Sequence, residues 1–157
     1  MQLYFLRHAE AEGHHREDYY RELTERGNKR TATAGKVMKR LGIKPTHIFS
    51  SPRIRAQQTA DIVAKILGIL VEERSEVDFG FNIQHVGSLI ENLSPAESVM
   101  FVGHNPNMSS VVNNLCGAEL NMKKGGLARI DLYTRKPLEG ELVWLIAPKV
   151  FDALDKY

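Results

Sequence analysis

The chain opens with the run Gln2-Leu3-Tyr4-Phe5-Leu6, which is followed directly by Arg7-His8. Short runs of apolar and aromatic residues are typical of buried β-strands. Because the apolar run stops where the charged residues begin, we expect this strand to deliver Arg7 and His8 to an edge of a sheet. The rest of the chain indicates what kind of sheet the strand enters.

Strand and helix patterns alternate four times along the chain, and a hairpin and a short helix close it. Alternation of this kind favours a three-layer α/β/α fold with a mostly parallel sheet, to which the hairpin adds antiparallel edge character. The sequence has no linker and no internal repeat, so we predict a single domain over residues 1–157. The predicted strands are 2–6, 46–50, 70–72, 98–102, 127–134 and 141–147, with the hairpin turn around Pro137 to Gly140. The predicted helices run from the Thr24 N-cap to Leu41, from Pro52 to Leu67, around 86–93, and over 107–115 and 148–155.

Arginine and histidine residues follow three of the predicted strands. Arg7 and His8 follow the first strand, Arg53 and Arg55 follow the second, and His104 follows the fourth. Ligands of open α/β sheets bind outside the carboxyl ends of the strands. Guanidinium and imidazole groups with no obvious carboxylate among them match a phosphoryl group. The sequence therefore predicts one anionic pocket, built for phosphate.

A histidine in such a pocket has a chemical use. A neutral imidazole can attack phosphorus and form a covalent phosphohistidine, which divides one difficult displacement into two easier ones. Guanidinium groups would hold the phosphoryl oxygens and offset the charge of the transition state. The sequence contains no Gly-rich phosphate loop and no carboxylate cage for magnesium, so we expect no cofactor and no metal. We interpret the adjacent His14-His15 pair, in a polar loop, as solvated.

Three blocks of the sequence resemble the histidine phosphatase superfamily, whose members have a phosphoglycerate mutase-like fold. Residues 6–10, Leu-Arg-His-Ala-Glu, resemble its Arg-His-Gly signature, with Ala9 where the family usually has glycine. Residues 50–60, Ser-Ser-Pro-Arg-Ile-Arg-Ala-Gln-Gln-Thr-Ala, resemble its second block, and residues 102–106, Val-Gly-His-Asn-Pro, resemble its third. The order and the strand-end placement agree, and the resemblance spans nearly the whole chain.

The resemblance implies a role for each matched residue. His8 would be the catalytic nucleophile, Arg7 and Arg55 would bind the phosphate, and His104 would complete the pocket. Branches that act on alcohol esters use a Glu or Asp as the general acid, and Asp78 is the candidate here. We interpret Arg53 as a surface or rim charge.

The length of the chain and the Gly-His-Asn-Pro form of the third block are most similar to the bacterial SixA-type phosphohistidine phosphatases. This similarity implies signal transduction, with a phosphorylated protein as substrate, such as a phosphotransfer domain or a phosphocarrier. One alternative keeps the site and changes the substrate to a small phosphate ester, such as a sugar phosphate or a nucleotide. A second alternative is a non-catalytic module that binds phosphohistidine.

The overall composition limits the remaining classes. Lys and Arg number 21 against 19 Asp and Glu, and this net charge of +2 is too small to indicate a nucleic-acid partner. Cys116 is the one cysteine, so no intrachain disulfide can form. The first residues do not resemble a signal peptide and no run is long enough to span a membrane, so we expect a cytoplasmic monomer.

Overall fold

The computed structural model describes residues 1–14 and 17–157, so His15 of the His14-His15 pair lies outside the described residues. Its strands are β1 (Gln2–Arg7), β2 (His47–Ser50), β3 (Val71–Glu73), β4 (Ser98–Gly103), β5 (Leu127–Arg135) and β6 (Leu138–Ile146). Its α-helices are α1 (Glu25–Arg40), α2 (Ile54–Leu67), α3 (Ile83–Ile90), α4 (Asn107–Cys116) and α5 (Pro148–Leu154).

The six strands form one mixed sheet in the order β3-β2-β4-β1-β5-β6. The first four strands of that order run parallel, and β5 and β6 add an antiparallel hairpin at the other edge. The prediction of a mostly parallel sheet with antiparallel edge character is therefore confirmed. The opening strand β1 lies inside the sheet, between β4 and β5, which explains its continuous apolar sequence.

Helices cover both faces of the sheet. Successive side chains of a strand point to opposite faces. Accordingly, Leu3 and Phe5 of β1 join a core with residues of α3 and α4, whereas Tyr4 and Leu6 join a second core with residues of α1, α2 and α5. The helices on one face, the sheet and the helices on the other face are the three layers that the sequence predicts.

Several boundaries differ from the predictions by a few residues. The α1 helix begins as expected, with the Thr24 hydroxyl accepting from the Gly27 amide at 2.9 Å. The α2 helix begins at Ile54 with Arg53 as its N-cap, so Pro52 lies before the helix instead of at its first position. Asn82 caps α3 and starts that helix earlier than predicted. The hairpin turn also comes earlier, since β6 already begins at Leu138.

The parallel strands place the ends of β1, β2 and β4 side by side. Arg7 pairs with Gly103, and the amide of His8 continues this pairing by donating to the Gly103 carbonyl at 2.9 Å. The amide of Ser51 likewise donates to the Val102 carbonyl at 3.0 Å, just beyond the end of β2. The segments that follow the three strands therefore meet at one place.

One observation bears on a membrane location. Among residues 1–14 and 17–157, none of the helices is both long enough and apolar enough to cross a membrane.

Candidate active site

Three of the side chains that the sequence analysis assigned to the phosphate pocket are buried together. His8, Arg55 and His104 are 7%, 3% and 2% exposed, respectively. The two imidazole rings lie 5.3 Å apart between centroids, and Nε of Arg55 donates to Nε2 of His8 at 3.3 Å. Arg7, the last residue of β1, is the neighbour of His8 in the chain. The geometry therefore brings His8, Arg55 and His104 together, and the charge of Arg7 helps to lower the pKa of both imidazoles.

The His8 imidazole is held with one nitrogen unprotonated. Nδ1 lies 2.8 Å from the Ala9 carbonyl oxygen, which can only accept, so Nδ1 carries the proton and Nε2 presents a lone pair. Burial, and then the charges of His104, Arg55 and Arg7, lower the pKa of His8 to about 3, against an opposing effect of the Ala9 hydrogen bond. His8 is therefore a neutral imidazole at neutral pH, with Nε2 unprotonated.

The His104 imidazole is also neutral. Burial lowers its pKa to about 3, with further lowering by the charges of Arg55 and Arg53. Its Nε2 lies 2.7 Å from Oγ of the buried Ser51, and this oxygen accepts from the Arg53 amide at 3.2 Å. The Nδ1 atom of His104 is buried and has no hydrogen-bond partner within the described part of the chain.

Arg7 is anchored by a loop that precedes β5. Its Nη1 donates to the Met122 carbonyl at 2.8 Å, and its backbone amide donates to the Gly126 carbonyl at 3.1 Å. Its Nε is buried and lacks a partner among the described residues. Burial lowers the pKa of this guanidinium, which nevertheless remains charged at neutral pH. The loop fixes the side chain while part of its donor capacity stays unused.

The structure corrects the expectation of a pocket without carboxylates. Asp18, in a short 3-10 turn over Asp18–Tyr20, accepts from Arg55 through both Oδ2, at 3.1 Å from Nη2, and its backbone oxygen, at 2.8 Å from Nη1. Oδ2 also accepts from Arg53 at 2.8 Å, and Oδ1 accepts from Arg21 at 3.0 Å. Burial opposes the ionised form, but these three arginines outweigh it and hold the pKa of Asp18 below its usual value.

Arg53 lies beside these residues and is mostly buried, so of its two interpretations a solvated surface charge is excluded. Its side chain is 17% exposed, and it joins Asp18 to Asp78, whose Oδ1 lies 2.6 Å from Nε of Arg53. The guanidinium also lies over the Phe79 ring, 3.7 Å from its centroid. Asp78 Oδ1 is 3.9 Å from Nε2 of His104. The candidate acid therefore lies at the site, with one oxygen engaged by Arg53.

Sequence reasoning missed Asp18 because no motif contains it. It lies in a polar segment that the sequence analysis treated as a loop, far along the chain from Arg53 and Arg55. The participation of Arg53 was missed for the same reason, since its two carboxylate partners come from other segments. The site as a whole presents an unprotonated imidazole nitrogen beside several guanidinium groups, which suits attack on a phosphoryl group. Among residues 1–14 and 17–157 there is no group of three or more His, Cys, Asp or Glu that could hold a metal ion.

Comparisons with known proteins identify the family. Residues 3–81 match the model of the histidine phosphatase superfamily, branch 1. An uncharacterised protein of Picosynechococcus sp. is 31% identical over 169 residues, covering 95% of this chain and 98% of its own. The matched region 3–81 contains the first two of the three sequence blocks quoted above.

Solved structures show the same fold. The protein histidine phosphatase SixA complexed with tungstate has a TM-score of 0.86 at 22% identity, covering 96% of this chain and 99% of its own. A candidate phosphohistidine phosphatase SixA from Agrobacterium tumefaciens has a TM-score of 0.78 at 27% identity, with coverages of 94% and 98%. A mycobacterial glucosyl-3-phosphoglycerate phosphatase has a TM-score of 0.71 at 15% identity, with coverages of 90% and 96%. The family match, the fold and the convergence of His8, Arg55 and His104 lead to one conclusion: this chain belongs to the histidine phosphatase superfamily, branch 1.

Proposed function

We propose that the protein is a phosphohistidine phosphatase that works through a covalent phosphohistidine on His8. The observation that carries this proposal is the state of the His8 ring, which is buried and neutral with Nε2 unprotonated next to Arg55. Nε2 attacks the phosphorus of a substrate phosphohistidine, forming one N–P bond while the substrate's N–P bond breaks. Water then attacks phospho-His8, releasing orthophosphate and restoring the neutral imidazole.

Arg7, Arg55 and His104 bind the phosphoryl oxygens in this proposal. The hydrogen bonds of Ser51 support a donor role for His104. Because the Ser51 oxygen already accepts from the Arg53 amide, its hydroxyl proton can be directed to Nε2 of His104. The proton of the neutral ring is then on Nδ1, the buried atom that lacks a partner among the described residues. A phosphoryl oxygen is the acceptor that this N–H requires.

The environment of Asp78 favours a phosphoramidate substrate. A general acid must be free to reach the leaving group, and a carboxyl paired with an arginine is held away from it. Asp78 is in such a pair with Arg53, at 2.6 Å. The imidazole of phosphohistidine leaves phosphorus more readily than an alkoxide, so it needs less help from an acid.

The mouth of the site supports a macromolecular substrate. Tyr19, Tyr20 and Phe79 are 37%, 56% and 52% exposed. The Tyr19 and Phe79 rings both lie against the Arg53 guanidinium, with centroids 5.7 Å and 3.7 Å from it. Exposed aromatic side chains beside a polar site are typical of surfaces that bind proteins. In this proposal the partner is a phosphotransfer domain or phosphocarrier, in the cytoplasm, and the enzyme is a monomer.

A second candidate substrate class is a small phosphate ester. The observation that favours it is the position of Asp78, whose Oδ1 lies 3.9 Å from Nε2 of His104, a residue proposed to bind the phosphate. If binding of the substrate separates Asp78 from Arg53, this carboxyl could serve as the general acid for an alcohol leaving group.

Phosphate release distinguishes the two substrate classes. The assay compares a phosphohistidine protein with p-nitrophenyl phosphate and a panel of sugar phosphates, for the unmodified enzyme and for Asp78→Asn. The proposal predicts fast release from phosphohistidine, slow release from the alkyl esters, and a phosphohistidine rate that Asp78→Asn changes by less than about threefold. Fast turnover of the alkyl esters that Asp78→Asn abolishes would establish the small-ester reading instead.

A further inference from the structure

A second cavity lies behind the catalytic segment, between α1, α2 and the start of α5. Its volume is about 550 Å³, which is within the range of small-molecule sites. The residues that line it do not include His8, Arg55 or His104, but they include Arg7, so the cavity adjoins the phosphate site through that one residue. Its apolar walls are formed by Leu6, Ala34, Met38, Val63, Ala147 and Pro148.

Half of the other lining residues are basic. Arg26, Lys123, Lys124 and Lys149 all line the cavity and are exposed, which places cations at its mouth. Glu10 carries the one carboxylate among the described lining residues. It lies 4.0 Å from Arg26 and accepts from the Thr24 hydroxyl at 3.0 Å, so it is already in contact with polar groups. The cavity thus combines an apolar interior with a positively charged entrance.

We propose that this cavity binds an amphiphilic anion, with an apolar body against the walls and a carboxylate or phosphate head group at Lys123 and Lys124. The apolar body of the ligand follows from the apolar walls, and its anionic head group follows from the basic residues at the entrance. An inorganic anion would make no use of the apolar lining, of which Ala147 and Pro148 are partly exposed. A neutral apolar ligand would make no use of the cationic entrance.

The same walls contact the catalytic segment. Ala9 and Thr59 both line the cavity. The Ala9 carbonyl accepts from Nδ1 of His8 at 2.8 Å, and the Ala9 amide donates to the Thr59 hydroxyl at 3.2 Å. Arg7 also lines it and is anchored to Met122, beside Lys123. A ligand in the cavity therefore lies beside the segment that orients the nucleophile.

Direct binding measurements test the site without relying on catalysis. The probes are 8-anilinonaphthalene-1-sulfonate, followed by fluorescence, and dodecanoate below its micellar concentration, which competes with it. Dodecyltrimethylammonium carries the same chain with the opposite charge, and orthophosphate supplies an anion without a chain. We expect dodecanoate to displace the fluorescent probe at least tenfold more tightly than dodecyltrimethylammonium, and orthophosphate not to displace it.

Two kinds of variant locate the binding. Ala34→Phe fills the cavity and should abolish binding of both probes, with circular dichroism as the check that the protein is folded. Lys123→Gln combined with Lys124→Gln changes exposed side chains, so it should fold normally and weaken dodecanoate binding about tenfold. The matched control is Lys36→Gln with Lys39→Gln, on exposed positions of α1 that do not line the cavity, and it should bind as the unmodified protein does.

Three results would overturn the proposal. These are equal dodecanoate affinity in the two lysine pairs, equal binding of the cationic amphiphile, and binding that survives a folded Ala34→Phe variant. Vesicles with and without phosphatidylglycerol distinguish a free ligand from a membrane lipid. Binding to anionic vesicles in the absence of dodecanoate binding would also contradict the proposal, since it would indicate a charged surface and not a cavity.

Discussion

The Oδ2 atom of Asp18 lies 3.1 Å from Nη2 of Arg55, the guanidinium proposed to hold the substrate phosphate. The backbone oxygen of Asp18 accepts from Nη1 of the same arginine at 2.8 Å. Oδ2 accepts from Arg53 as well, at 2.8 Å. A carboxylate and a carbonyl thus use the donors that a phosphoryl group requires, so a phosphate entering this site has to compete with Asp18.

Replacing Asp18 should therefore strengthen the binding of phosphate analogues. Asp18→Asn removes a negative charge and weakens the contact with Arg55 and Arg53, and we expect tungstate and orthophosphate to bind about three- to tenfold more tightly. Isothermal titration calorimetry or competitive inhibition measures this change. Glu17→Gln removes the same charge from the neighbouring, exposed residue and should have little effect. Unchanged or weaker anion binding in Asp18→Asn would show that Asp18 does not compete with phosphate.

The Ser51 hydroxyl should determine which nitrogen of His104 carries the proton. Its Oγ lies 2.7 Å from Nε2, so Ser51→Ala should let the proton move from Nδ1 to Nε2 and remove a donor to the phosphate. We expect kcat/KM to fall about ten- to a hundredfold. The ¹⁵N chemical shifts of His104 report the tautomer directly. The control is Ser50→Ala, which deletes a buried hydroxyl that donates to the Ser51 carbonyl. This variant should leave the tautomer unchanged.

Removing the Arg53 guanidinium should damage the site. This side chain separates Asp18 from Asp78, and Arg53→Gln would leave two carboxylates beside the phosphate without their shared cation. Repulsion of the anionic substrate should then lower kcat/KM by about tenfold or more, with most of the change in KM. The control is Arg74→Gln, on a side chain that is 42% exposed and pairs with Glu72. Steady-state kinetics at equal enzyme purity compare the two, and equal activities would return Arg53 to the role of a rim charge.

The two buried imidazoles should make the fold sensitive to acid. The pKa of His8 and of His104 is lowered from 6.5 to about 3, chiefly by burial. Between these values the unfolded chain binds protons that the folded protein does not, so the free energy of unfolding falls as the pH drops below 6.5. Each histidine contributes a slope of about 1.4 kcal/mol per pH unit in the lower part of this range.

Denaturant unfolding at pH 7, 6 and 5 measures this dependence. His104→Asn should reduce the slope by about one histidine's share. A His104→Asn variant with the same slope as the unmodified protein would mean that His104 is not neutral in the folded state.

The features that could be predicted from the sequence depend on residues that are close together in the chain. The continuous apolar run of β1 indicates a strand buried on both faces, and the charged residues directly after β1, β2 and β4 indicate a site where parallel strands end. The features that could not be predicted depend on tertiary contacts between distant segments. Asp18 and Arg55 are 37 positions apart in the chain, and Asp78 and Arg53 are 25 positions apart. No local sequence pattern predicts these contacts. The predicted start of α2 at Pro52 is also wrong, although Pro is common at a first helical position. The Arg53 amide here donates to the Ser51 side chain, and the helix begins at Ile54.

The most direct test of the account is a single-turnover reaction with a ³²P-labelled phosphohistidine protein, quenched in alkali, where phosphohistidine is stable. The account predicts a transient phosphoenzyme that decays to orthophosphate, carries its label on His8 by peptide mapping, and is absent from a folded His8→Asn variant that also releases no phosphate. Release of phosphate by His8→Asn at the rate of the unmodified enzyme, or label trapped on any other residue, would contradict it.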